Sequence, residues 1–142
     1  MQPTEQDTCL ECGAPRVEGM NCWEMLGAIG AWEFQDPELM DEHFLTVASY
    51  NLQHPAQFTD EALAGLRTAV IGYLDHGVSP AEIRRRTSKS YEGKHRVLKP
   101  ETERYPVLRH WPMTIADVYL PNHSEGAAGR VRAWGTSIRL EF

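Results

Sequence analysis

No stretch of this chain approaches the roughly 18 uninterrupted apolar residues from which a membrane-spanning helix is built. The opening MQPTEQDTCLECGAP has neither a basic start nor the apolar run that marks a secretion signal. Both absences argue against a membrane or exported protein, and the expected location is the cytoplasm. Internal repeats and low-complexity tracts are also missing, which sets aside solenoids and disordered linkers. What remains is a globular composition, with 42% apolar and 24% charged residues in a chain of 142.

Cysteine is scarce as well. There are three, all between positions 9 and 22. An odd count in so short a span makes poor disulfide arithmetic, and in a reducing compartment clustered cysteines are metal ligands or redox groups. Cys9-Leu10-Glu11-Cys12-Gly13 is a C-x2-C turn that lets two thiolates bond one tetrahedral ion. Cys22 stands at the expected start of the first helix, where free amides and the helix dipole favour the thiolate. A redox C-x2-C wants a strand before it and a helix starting inside it, whereas here polar loop precedes and Gly13 and Pro15 follow. One structural zinc ion held by Cys9, Cys12 and Cys22 is the expectation.

Beyond the cysteines the chain reads as helix. Asn21 with Glu24 forms a capping box ahead of Met25, Leu26, Ile29 and Trp32 at helical spacing, and Gly27 and Gly30 mark expected close approaches of a neighbouring helix. Asp36-Pro37 opens a second helix expected to run to about His54, with Met40, Phe44, Val47 and Ala48 inward, before Pro55 ends it. Thr59 caps a third, with Leu63, Leu66, Val70 and Leu74 inward and Gly77 as the stop. Ser79-Pro80-Ala81-Glu82 caps a short basic helix. Pro100, Pro106 and Pro112 then argue for an extended connection with a short strand at 105–108, before Thr114 and Asp117 cap a turn and Val131, Trp134 and Ile138 define a last helix. The predicted plan is a mainly α fold, a small helical bundle forming one domain over 1–142. It divides into a zinc-binding loop (1–22), a helical core (22–88), an extended connection wrapping it (89–113) and a C-terminal helical part (114–142).

This plan supplies a fourth ligand. A short connection makes the first two helices antiparallel, which sets Cys22 level with the far end of the second, where His54 lies. His43 shares that face but sits about 16 Å further along, so the two histidines cannot bind one ion. His54 is the better placed, and Tyr50 lies between them.

The chain resembles a family of bacterial proteins known only as a domain of unknown function. The likeness runs through CLECGAP, Cys22, HFLTVASYNLQHP at 43–55, the arginines at 84–86 and WPMTIADV at 111–118. The resemblance implies one helical domain with a Cys and His cluster, and brings no activity with it.

Net charge is −6, unevenly spread. Residues 82–99 hold seven basic residues against Glu82 and Glu92, a net +5, which leaves −11 on the rest. Arg84, Arg85, Arg86, Lys89, Lys94 and Arg96 can therefore steer an acidic protein or nucleic acid to one stretch. Tyr91 and His95 offer stacking, but no nucleic-acid-binding motif is present. The alternative is a metal-dependent enzyme of hydrolase type, with Glu33, His43 and Tyr50 as catalytic candidates near the ion and Glu33 reaching inward toward His43. No HExxH occurs, and His123-Ser124-Glu125 follows the C-x2-C where a zinc deaminase has its H-x-E before it. Trp23, Trp111 and Trp134 are expected to complete the core; left exposed, they would suit a homo-oligomer contact.

Overall fold

The computed structural model describes residues 7–90 and 96–142, and of residues 89 and 90 the backbone alone. The architecture is mainly helical, and no strand forms among the described residues. Helix α1 spans Cys22–Glu33 and opens on the full capping box, with the Asn21 side chain accepting from the Glu24 amide and the Glu24 carboxylate accepting from the Asn21 amide. α4 (Asp60–His76) begins on the Thr59 hydroxyl and ends at Gly77, whose φ of 66° only glycine adopts without strain. α5 (Pro80–Ser90) starts on Ser79, α6 (Ile115–Val118) on a Thr114–Asp117 capping box, and α7 spans Ala127–Arg139.

The second helix is not continuous. Asp36 caps α2 (Pro37–Asp41) as expected, but the helix breaks at Glu42 and restarts as α3 (His43–Gln53). Glu42 sits at φ −95°, ψ 10°, and its carboxylate is held by the Tyr73 hydroxyl of α4 and the Arg132 guanidinium of α7. The break turns the register: Leu39 is buried while Met40 is exposed, and Leu45 joins Ala48 in the core.

α7 is the hub, packing on α2, α3, α4 and α6. Its Val131, Trp134 and Ile138 share one buried cluster with Met25 and Ile29 of α1, Leu45 of α3, Val70 of α4 and Ile115 and Val118 of α6. The close approach lies at Gly135, where a Cβ would fall 2.5 Å from a Leu45 methyl. At Gly27 and Gly30 a Cβ would meet nothing within 4 Å, so the expected contacts there do not exist. Beneath the hub Gln53 is fully buried, donating to the Met113 carbonyl and accepting from the Trp134 indole.

Of the tryptophans expected in the core, Trp134 is fully buried, Trp111 is half-buried under the Arg109 guanidinium, and Trp23 is 70% exposed. The strand expected at 105–108 does not form. Val97 and Lys99 bond the backbone of Thr59 and Gln57, but Pro106 has no amide to donate, and Tyr105, Val107 and Leu108 face solvent. The connection meets the N-terminal loop where the Arg109 amide donates to the Glu11 carbonyl at 2.8 Å.

Candidate metal centre

Residues 8–20 contain no helix of their own, so their shape rests on a few backbone bonds. The Gly13 amide donates to the Cys9 carbonyl and the Cys9 amide to the Ala14 carbonyl, which folds the C-x2-C turn into a knuckle; Gly13 completes it at φ 76°. The Glu11 amide points at the Cys9 sulfur, 3.4 Å away. Glu11 also clamps the knuckle in place. Its carboxylate accepts from the Ala56 amide just beyond α3, and its carbonyl accepts from Arg109.

The knuckle brings Cys9 and Cys12 against Cys22, in the first turn of α1, and His54, at the end of α3. Their ligand atoms all lie within 4.8 Å of one another, a geometry that can hold a metal ion. The Cys12 and Cys22 sulfurs are 3.6 Å apart, close to the ~3.8 Å edge of a tetrahedron with zinc–sulfur bonds of about 2.3 Å. Cys12, Cys22 and His54 are buried and Cys9 is half-buried.

The state of His54 points the same way. Its Nδ1–H donates to the Tyr50 carbonyl at 2.6 Å, which fixes the ring's orientation and turns Nε2 toward the sulfurs. That Nε2 is buried without a hydrogen-bond partner, an arrangement that costs about 1–3 kcal/mol unless a ligand completes it. The Tyr50 ring stacks on the imidazole at 4.1 Å and fixes its plane.

The sulfurs also crowd one another electrostatically. Hydrogen bonds from Cys12 and Cys22 pull the Cys9 thiol far below its usual range, while the same two-way contacts, with burial, push the Cys22 thiol far above it. Burial pulls the His54 imidazolium down, yet the facing sulfurs of Cys12 and Cys9 and the Tyr50 carbonyl outweigh it and hold its pKa up to about 10. Burial, and then the charge of the Cys22 and Cys9 sulfurs, raises the Tyr50 phenol. Three sulfurs this close cannot all ionise unless a cation joins them.

The remaining sequence candidates lie elsewhere. Glu33 at the end of α1 is buried, and both its carboxylate oxygens meet His43 Nδ1, at 2.9 and 3.0 Å. The His43 ring is otherwise exposed. Tyr50 does not join this pair; it stays with His54, two turns along α3. On α5, Arg84, Arg85 and Arg86 are exposed, and Glu82 pairs with Arg85 at 2.5 Å and with Arg86 at 3.5 Å. Arg96 is exposed beyond it, the Lys89 side chain is not described, and Tyr91, Glu92, Lys94 and His95 lie outside the described residues. Sequence reasoning missed Glu11, since nothing in a C-x2-C turn announces that the residue inside it will cap a distant amide. Beside the knuckle lies a cleft of about 400 Å³, walled by Glu11, Pro55, Arg67, Arg109 and Trp111. None of the four clustered ligands lines it.

Compared with known proteins, residues 7–142 match the profile of the family described as "Family of unknown function (DUF5946)". No curated protein and no solved structure matches the chain.

Proposed function

The chain belongs to this family of unknown function, and we propose that it is a zinc-stapled helical binding module, in which Cys9, Cys12, Cys22 and His54 form a closed shell around one structural ion. The observation that carries the reading is the buried, partnerless Nε2 of His54 facing three sulfurs. Three thiolates and an imidazole are a structural zinc set, and all four tetrahedral positions are filled by protein, which leaves none for a substrate. The ion then fastens the helix-free N-terminal loop to the ends of α1 and α3. Zinc–thiolate ligation also suits a reducing compartment such as the cytoplasm.

In this reading the working surface is the basic stretch. Arg84, Arg85, Arg86, Lys89, Lys94 and Arg96 contact an acidic protein or nucleic acid on a chain that is otherwise acidic, with Glu82 offsetting part of their charge. Metal analysis of purified protein is expected to give about one equivalent of zinc, and less than about half an equivalent defeats the metal assignment. Salt-dependent retention on heparin or DNA should vanish when Arg84, Arg85 and Arg86 are changed to alanine. Retention that survives that change removes the basic surface from the proposal.

A second reading is favoured by the Glu33–His43 pair. A buried carboxylate holding Nδ1–H turns the Nε2 lone pair of an exposed ring outward, the orientation of a general base. A hydrolase built on this pair works away from the ion and without Tyr50. Turnover of activated esters or phosphoesters that His43→Ala abolishes, with zinc retained, would establish it.

A further inference from the structure

We infer that Cys9 is a modification site for peroxide-type oxidants, and that its oxidation opens the metal centre and frees the N-terminal loop. The inference rests on the zinc reading above and concerns how that site is controlled.

The four ligands are unequal in access. Cys12 is 1% exposed, and Cys22 and His54 are each 6% exposed, whereas Cys9 is only half-buried. A small oxidant therefore meets Cys9 first. Reactivity toward peroxide depends on thiolate character and access together, and zinc ligation keeps a cysteine deprotonated. The Cys9 thiolate attacks one peroxide oxygen: an S–O bond forms, the O–O bond breaks, and hydroxide departs. The sulfur becomes a sulfenic acid.

The second step needs another thiolate in reach, and the cluster supplies two. Cys12 and Cys22 lie within 4.8 Å of Cys9. Attack of either on the sulfenyl sulfur forms an S–S bond and expels a second hydroxide. In sum, two thiolates lose two electrons to one peroxide, which is reduced to two hydroxide ions, and the metal keeps its oxidation state. One thiolate and His54 remain as ligands, too few for a structural site.

The fold limits the damage to one end of the molecule. Within residues 8–20 only Cys12 and Ala14 are buried; Val17 and Met20 pack against the core half-buried, and the Glu11 carboxylate and carbonyl accept from the Ala56 and Arg109 amides. The helices pack on one another, four of them directly on α7, and α1 packs on α2, α3 and α6. Oxidation thus releases the loop while the bundle stays folded, and uncovers the faces of α1 and α3 beside Trp23 and Tyr50.

The test uses the full chain purified with zinc bound and treated with hydrogen peroxide, beside a small-thiol control. Expected are release of the bound zinc to a chromogenic chelator, loss of two of the three titratable thiols, dimedone capture of the intermediate on Cys9, and faster proteolysis within residues 8–20 at unchanged helical circular dichroism. Thiol reductant with added zinc should restore the starting state. Zinc retained with all three thiols intact, under conditions that oxidise the control, overturns the inference and leaves the zinc reading standing. First capture on Cys12 or Cys22 overturns it too. Protein that never binds zinc overturns both.

Discussion

His54 shows how far a single residue can be read from sequence. Its choice over His43 requires only that two helices run antiparallel and that 11 residues of helix span about 16 Å. The structure sets His54 against the sulfurs and gives His43 to Glu33. Replacing His54 by alanine is expected to drop zinc content below about half an equivalent after dialysis against a weak chelator, while His43→Ala retains it. Equal retention by both variants would remove His54 from the shell. The cysteines are legible because C-x2-C spacing is a local property, fixed before any tertiary structure exists. Glu11 is not, because its partners Ala56 and Arg109 come from segments 45 and 98 positions away, and no short-range pattern encodes them.

The helices repeat that contrast. A side-chain N-cap has its meaning in the four residues around it, and Asn21, Asp36, Thr59, Ser79 and Thr114 all cap as their side chains dictate. The break between α2 and α3 is invisible in sequence because its cause sits on other elements, with Tyr73 and Arg132 pulling Glu42 out of helical register. This junction has a pH signature. Burial, followed by the hydrogen bond and charge of Glu42, lifts the Tyr73 phenol to about 12 from its usual value near 10. A pKa raised on folding means the neutral form is favoured, so its contribution is complete below about pH 10 and is lost as pH rises toward 12. Phenolate absorbance should show Tyr73 titrating late alongside Tyr50, and Glu42→Gln should move the Tyr73 step alone part of the way back. The N-terminal loop makes a different prediction. A strong chelator should speed proteolysis within 8–20 and lower the melting temperature, with little change in far-ultraviolet circular dichroism, because that loop contains no helix to lose.

At the scale of the molecule, the class of fold and the asymmetry of charge are readable from sequence, but the packing plan is not. The last helix is visible from Val131, Trp134 and Ile138, yet its place at the centre depends on Gly135 admitting Leu45, and glycines at 27 and 30 look equally suited to such a contact. Only tertiary structure distinguishes them. No described helix is long and apolar enough to cross a membrane. Because α7 ties so many elements together, damage there should be felt globally. Trp134→Phe strands the Gln53 amide oxygen in the core, and a loss of about 1–3 kcal/mol is expected in denaturant titration, with a single transition and unchanged zinc content. Two separate transitions would show that the metal end and the α7 end unfold independently.

The Gln53 bridge also orders events in time. Its partners, Met113 and Trp134, lie 60 and 81 residues further along the chain, whereas His54 and the three cysteines are all made in the first half. During synthesis the four clustered residues emerge from the ribosome well before the residues that seal the core. The nascent chain can therefore gather its Cys and His cluster early, and must wait for its final helix before the amide at position 53 is dry and paired.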